Sequence, residues 1–250
     1  MEYETYNDLV RHPFILSLLK DAALISNEVT KNKGFSVVNE YKRLPTEKEF
    51  YCLQLGHCIS HLLIVIQQME HTVLYMGNFS PTDIMKNAGI TRYTHLLWSV
   101  ENYIVRTQTV YDRLLIVIDR LFNLHNSPSC ISHEMIVTNS HIKRTKIPAL
   151  LKPVKNSVKK YYHDRNTIIH QHSFLDDELN TIEAYSILSA AEDEGEKMGV
   201  SYKKALKQSV KDFLKTRKRE FTRINKNVCT SMTPLLNEIK KTYAKQYKKF

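Results

Sequence analysis

The sequence predicts an all-α protein: a helical bundle with two long antiparallel helices at its centre, extended by a basic C-terminal helical segment. Three observations carry that expectation. Glycine and proline are scarce, 6 and 7 of 250 residues, about 5% where ordinary usage is roughly 12%. A β-sandwich or doubly wound fold needs a turn every ten residues or so, commonly with one of the two. Apolar residues recur every three or four positions through two stretches of helical length, the signature of a face turned to a core. The chain is 42% hydrophobic and 25% charged, a balance that buries a core without staples and excludes wholesale disorder. No internal repeat of fixed period appears, so a solenoid is excluded.

In the first division, residues 1–45, Phe14, Ile15, Leu16, Leu18 and Leu19 form an apolar patch that reads as a short helix. The polar stretch NEVTKNKGFSVVNEYKRL after it has no period and reads as a loop. Pro45, Thr46, Glu47 and Glu49 resemble a helix start, and Phe50, Leu53, Ile59, Leu62, Leu63, Ile66, Met69, Val73 and Met76 then carry a long helix. Gly77 to Pro81 ends it, and the connection through Gly89 leaves room for one helical turn. A second long helix starts near Thr91, with its stripe at Leu97, Val100, Ile104, Tyr111, Leu114, Leu115, Ile118, Leu121 and Phe122.

The segment HNSPSCISHEMIVTNSH mixes β-branched residues with turn formers and reads as either a loop or a short hairpin. Helical spacing resumes at Ile147 and Pro148, a tolerated first-turn proline, and runs through Leu151, Val154, Val158, Tyr161 and Tyr162, with Pro153 bending or starting the helix. Further periodic segments run from about Asp177 to Glu192, from Val200 to Asn225 and from Thr233 onward. These place the bundle at residues 46–195 and lysine-rich helices at 196–250.

Composition removes several function classes. Cys52, Cys58, Cys130 and Cys229 include no CxxC pair, so neither a zinc knuckle nor a disulfide framework is expected, and a reducing compartment fits. The acidic start MEYETYNDLV is not a secretory signal. The longest apolar run, Leu62 to Ile66, is far below the roughly 20 residues that span a bilayer. A soluble cytoplasmic protein without membrane association is expected. Neither GxxxxGK[ST] nor GxGxxG occurs, so no nucleotide cofactor is expected. His57 and His61 share a helix face, but the Glu a zincin places between them is absent, and a structural role is expected in place of a metal site. The 14 tyrosines read chiefly as core residues with bonded hydroxyls.

Charge is divided unevenly. The net +10 is concentrated in residues 197–250, where thirteen Lys and three Arg face three acids, while the first 196 residues balance at −3. Such a block marks an anionic partner, because phosphate neutralisation supplies most non-specific affinity for nucleic acid. Lys204, Lys207, Lys211, Lys215 and Lys218 step by three or four and fall on one helix face, a ridge suited to RNA phosphates. Leu206, Val210, Phe213 and Phe221 populate the other side. The same ridge also suits an acidic protein or a membrane surface.

The stretch with most chemistry is Tyr-Tyr-His-Asp-Arg-Asn-Thr-Ile-Ile-His-Gln-His at 161–172. On an unbroken helix from Val154, Arg165 and His172 join an otherwise apolar stripe, so the guanidinium needs a partner, a break near Asp164, a second subunit or an anionic ligand. Asn166 and His170 lie four apart, which lets an amide orient an imidazole. Imidazole, with an ordinary pKa of about 6.5, exchanges the proton of a ribose 2′-hydroxyl at neutral pH. Arginine holds the phosphate as charge builds. The set suits metal-free RNA cleavage with Arg165, Asn166 and His170 in the site and Asp164 and His172 in support.

Arg165 to His170 resembles the motif of the HEPN superfamily of all-α proteins: Arg, four to six residues, then His, often with a polar residue after the Arg. The resemblance covers roughly residues 46–195. It implies a homodimer in which two motifs form one composite endoribonuclease site. It further implies a toxin or antiphage role, with an antitoxin or regulatory protein as a partner. A second match, Arg120 to His125, is set aside because apolar Leu121 follows the Arg and a basic residue at a helix C-terminus complements the dipole. The rival reading is a non-catalytic helical module that binds nucleic acid or protein through the basic segment.

Overall fold

The computed structural model describes residues 4–30, 42–191 and 201–250. Ten α-helices and no β-strand occur among them, so the protein is all-α. In chain order they are α1 (Tyr6–Val10), α2 (Pro13–Val29), α3 (Glu47–Gly77), α4 (Asp83–Asn87), α5 (Arg92–Leu121), α6 (His133–Thr138), α7 (Ile147–Val158), α8 (Tyr162–His170), α9 (Asp177–Ala191) and α10 (Tyr202–Tyr247). The long helices α3 and α5 run antiparallel. Tyr51 near the start of α3 donates to the Leu121 carbonyl at the end of α5 at 2.8 Å, and Arg92 at the start of α5 donates to the Met76 carbonyl near the end of α3 at 2.8 Å.

Several local expectations are corrected. The N-terminal division holds two helices, because Ala22 and Ser26 continue the buried face begun by Phe14, Ile15 and Leu18 to Val29; small and polar residues on that face hid it from an apolar count. Of the loop expected after it, residues 31–41 lie outside the described residues. The 125–141 segment forms neither bare loop nor hairpin. It contains a 3-10 turn at Pro128–Cys130 and then α6, with Ser132 accepting from the Met135 N–H as N-cap. The two C-terminal helices are one, α10, which passes through Pro234. A proline costs one backbone hydrogen bond, and the buried face on either side, from Val228 and Met232 to Leu235, Leu236 and Ile239, holds the helix together.

The chain divides into two compact units. The first comprises Met1–Gln67, Gln108–Lys160 and Asn225–Phe250. Its core joins Leu9 and Leu18, Leu55 and Ile59 of α3, Leu114 and Ile118 of α5, Leu151 and Val154 of α7, and Leu235 and Ile239 of α10. Tyr51 stacks on Tyr243 with ring centroids 5.6 Å apart. A capping box opens α3: Thr46 Oγ1 accepts from the Glu49 N–H and the Glu49 carboxylate accepts from the Thr46 N–H at 2.8 Å.

The second unit comprises Gln68–Thr107 and Tyr161–Ile224. Tyr103 stacks on Phe221 at 3.6 Å between centroids, and Tyr161 meets Phe221 edge-on at 6.1 Å. The carbonyls ending α3 are covered by side chains: Met76 accepts from Arg92, and the Tyr75 carbonyl lies 3.0 Å from His95 Nε2. Such cover satisfies orphan acceptors and complements the helix dipole.

By length and composition α3 could cross a membrane, with a mean hydropathy of 1.4 over its best window, although its longest unbroken apolar run is short. Half of that window is buried inside the protein.

Candidate functional site

The motif sits on α8, in the second unit. The helix from Val154 is not continuous: α7 ends at Val158, and a 3-10 turn at Lys159–Tyr161 separates it from α8. Arg165 therefore does not extend the buried stripe of α7. His172 lies beyond α8, outside any helix, with Nδ1 2.8 Å from the Ser173 carbonyl. The unbroken stripe through Arg165 and His172 does not form, and the break lies at Lys159–Tyr161, just ahead of Asp164. Tyr161, buried and packed on Phe221, anchors the first turn of α8.

At 3.6 residues per turn, Arg165 and His170 point about 140° apart around α8, and Asn166 lies only about 40° from His170. The three do not converge by helix position. One side-chain contact joins two of them: Arg165 Nη1 donates to Asn166 Oδ1 at 3.0 Å. The amide assigned above to His170 is thus bonded to the arginine. Arg165 is half-buried, its Nε is buried without an acceptor, and it forms no ion pair among the described residues. His170 is exposed, and no side-chain hydrogen bond from its ring occurs among the described residues. Asp164 is half-buried on the first turn of α8 and acts electrostatically on the Tyr161 hydroxyl.

Sequence reasoning missed the network that fixes the segment after the motif. Glu101 of α5 accepts from the Phe174 N–H at 2.8 Å, pinning the connection that carries His172. Arg217 of α10 pairs with Asp176 and also reaches Glu220 at 3.2 Å and Glu178 at 3.7 Å. Asp176 Oδ1 accepts from the Leu179 N–H as the N-cap of α9. The nearby Arg217 guanidinium opposes the upward push that burial gives the Tyr161 pKa. Only the distance of these residues from the motif in sequence concealed them.

The second match is structural. Arg120 pairs with the fully buried Asp119 and donates to the Asn126 carbonyl at 3.0 Å, while Asn126 Nδ2 donates to Asp119 at 2.6 Å. His125 lies past the end of α5 in a left-handed conformation, φ 55°, so this pair shares no helix. The His57 and His61 rings meet tilted, with centroids 4.3 Å apart, burial holds the His57 pKa below its usual value, and no metal-ligating cluster occurs among the described residues.

On α10, Lys204, Lys207, Lys211 and Lys215 are exposed, opposite buried Phe213 and Phe221. Lys218 departs from the ridge. It is half-buried, with its ammonium against Gly77 at the end of α3, where a Cβ on Gly77 would overlap it. The helix dipole claims that cation.

The family model of the Cthe2314-like HEPN proteins matches residues 54–241. No curated protein and no solved structure matches the chain. That match covers well over half of the sequence and includes both α8 with its Arg-Asn-x3-His motif and most of the basic helix, and the chain accordingly belongs to the HEPN superfamily.

Proposed function

We propose that the protein is a metal-independent endoribonuclease whose site is completed by a second copy. The observation that carries this is the unpaired, half-buried Arg165 tied to Asn166 beside an exposed His170. A guanidinium without a carboxylate in a partly desolvated setting is costly unless an anion is to be bound there. A scissile phosphate is such an anion.

In the reaction the ribose 2′-oxygen attacks the adjacent phosphorus, a P–O2′ bond forms and the P–O5′ bond breaks. His170 takes the 2′-hydroxyl proton, and the second His170 across the two-fold axis gives one to the departing 5′-oxygen. Arg165 stabilises the charge on the phosphoryl oxygens, and Asn166 holds Arg165. The products are a 2′,3′-cyclic phosphate and a 5′-hydroxyl. DNA, without the 2′-hydroxyl, is excluded. The exposed lysines of α10 hold RNA away from the cut. Membership of the superfamily supports a toxin or antiphage effector held in check by a partner protein.

Tyr162, Ile169 and Leu175 are 49%, 45% and 70% exposed on and just after α8, apolar surface suited to an isologous contact. Ile169→Asp is expected to convert a dimer to a monomer in sedimentation and to abolish cleavage together. A monomeric wild type that still cleaves contradicts the composite site. The exposed lysine face also supports the rival, a non-catalytic binding module; RNA bound but never cut, in the presence of the dimer, selects it.

A further inference from the structure

In the first unit, a cleft of about 420 Å³ lies between the last turns of α10 and the turn that precedes α7. Arg144 reaches it from that turn, and Lys241, Lys245 and Lys249 from α10 and the residues just after it. Glu238 is its one carboxylate and Phe122 one of its walls. We propose that this cleft is a binding site for phosphoryl groups, separate from the residues of α8.

Four cations line the cleft with one acid, an excess of positive charge that attracts an anion. Lys241 meets Glu238 only at 4.0 Å and is 71% exposed, and no ion pair of Arg144, Lys245 or Lys249 occurs among the described residues. The cations are available. Lysines near a helix C-terminus complement its dipole, which accounts for Lys245 and Lys249. It does not account for Arg144, which comes from a different element and carries the bidentate fork suited to phosphate.

The turn presenting Arg144 is fixed in advance. Asn139 Oδ1 accepts from the His141 N–H at 3.0 Å, Ile142 is fully buried, and Thr145 Oγ1 donates to the Ile142 carbonyl at 2.7 Å. The backbone that carries Arg144 is thus already ordered and adds little to the entropy cost of binding. The half-buried ring of Phe122 adds a surface on which a base can stack. The phosphoryl groups have two possible sources, a single RNA strand or a free nucleoside polyphosphate.

Titration calorimetry on the full chain in EDTA, with inorganic tripolyphosphate, ATP and a 12-nucleotide RNA as probes, tests the site. Arg144→Ala combined with Lys245→Ala is expected to weaken tripolyphosphate by about tenfold or more with an unchanged circular dichroism spectrum. Glu238→Gln is expected to tighten it, a gain that structural damage does not produce. Loss of ATP binding in the double variant with RNA unaffected assigns the free nucleotide; loss of RNA binding with no ATP binding in the wild type assigns the strand. If all three probes bind the double variant as tightly as the wild type, or none binds the wild type, the cleft is a solvated lysine face and the proposal is overturned.

Discussion

Asn166 Oδ1 accepts a hydrogen bond from Arg165 Nη1 at 3.0 Å, and Asn166 lies about 40° from His170 around α8. By helix position Arg165 and His170 themselves point about 140° apart. In the proposed site the asparagine positions Arg165, so its loss is expected to misplace the group assigned to the phosphate and leave the histidine untouched. Asn166→Ala should lower the RNA cleavage rate by about 10- to 100-fold, from one hydrogen bond to a charged group. The pH dependence should keep its shape. A changed pH profile would show that Asn166 acts on His170.

The two Arg-x4-His matches should fail differently. His170→Ala is expected to cost about 10²- to 10⁴-fold in cleavage with melting temperature unchanged, the range of general acid–base catalysis. Arg120→Ala leaves Asp119 buried and unpaired, and should destabilise the fold by about 3–5 kcal/mol. Urea denaturation beside a cleavage assay separates the two.

Arg217 has a side chain only 14% exposed among Asp176, Glu178 and Glu220. Arg217→Ala strands these carboxylates and is expected to cost about 3 kcal/mol. The start of α9 loses its tie to α10, so hydrogen exchange should accelerate first in residues 174–182. Uniform acceleration over the whole chain would argue against a local role.

At the start of α3, the hydrogen bond from Arg43 and then the Thr46 N–H bring the Glu49 carboxyl down to about 2. An unfolded Glu titrates near 4.3. A folded-state value below the unfolded one stabilises the protein above that range, and the gain is lost as pH falls from about 5 toward 2. The melting-temperature difference between wild type and Glu49→Gln should therefore shrink over that interval. A difference constant from pH 7 to pH 2 would show that the ion pair contributes nothing.

The ridge on α10 should act uniformly on RNA sequences. Alanine at Lys204, Lys207, Lys211 and Lys215 is expected to weaken binding and flatten its salt dependence by up to about 0.7 for each phosphate no longer neutralised. Lys218→Ala, at the end of α3, should leave the salt slope unchanged and lower stability slightly. Anisotropy measured across a salt series reads both.

The long helices were legible because their stripes repeat over eight turns, and the start of α3 because Thr46 and Glu49 form a capping box that three-residue spacing reveals. The break before α8 was not. Val158, Tyr161 and Arg165 keep helical spacing through a 3-10 turn, since one turn of either helix separates side chains by three or four positions. The gap between Asn225 and Thr233 reads in the opposite sense, as a break between two helices, yet α10 continues through Pro234 because its buried face continues. The motif itself stood out as an arginine among apolar positions. Its supports, Glu101 and Arg217, lie on helices distant in sequence, and only folding brings them to the segment after α8.

Purified tRNA and total RNA incubated in EDTA with wild type, Arg165→Ala and His170→Ala, followed by end-group analysis, give the most decisive result. The composite site requires 2′,3′-cyclic phosphate ends from the wild type and none from either variant, with both variants folded and dimeric. Cleavage by the variants at the wild-type rate would contradict it, and the Arg165–Asn166 pair would then serve only the structure of α8.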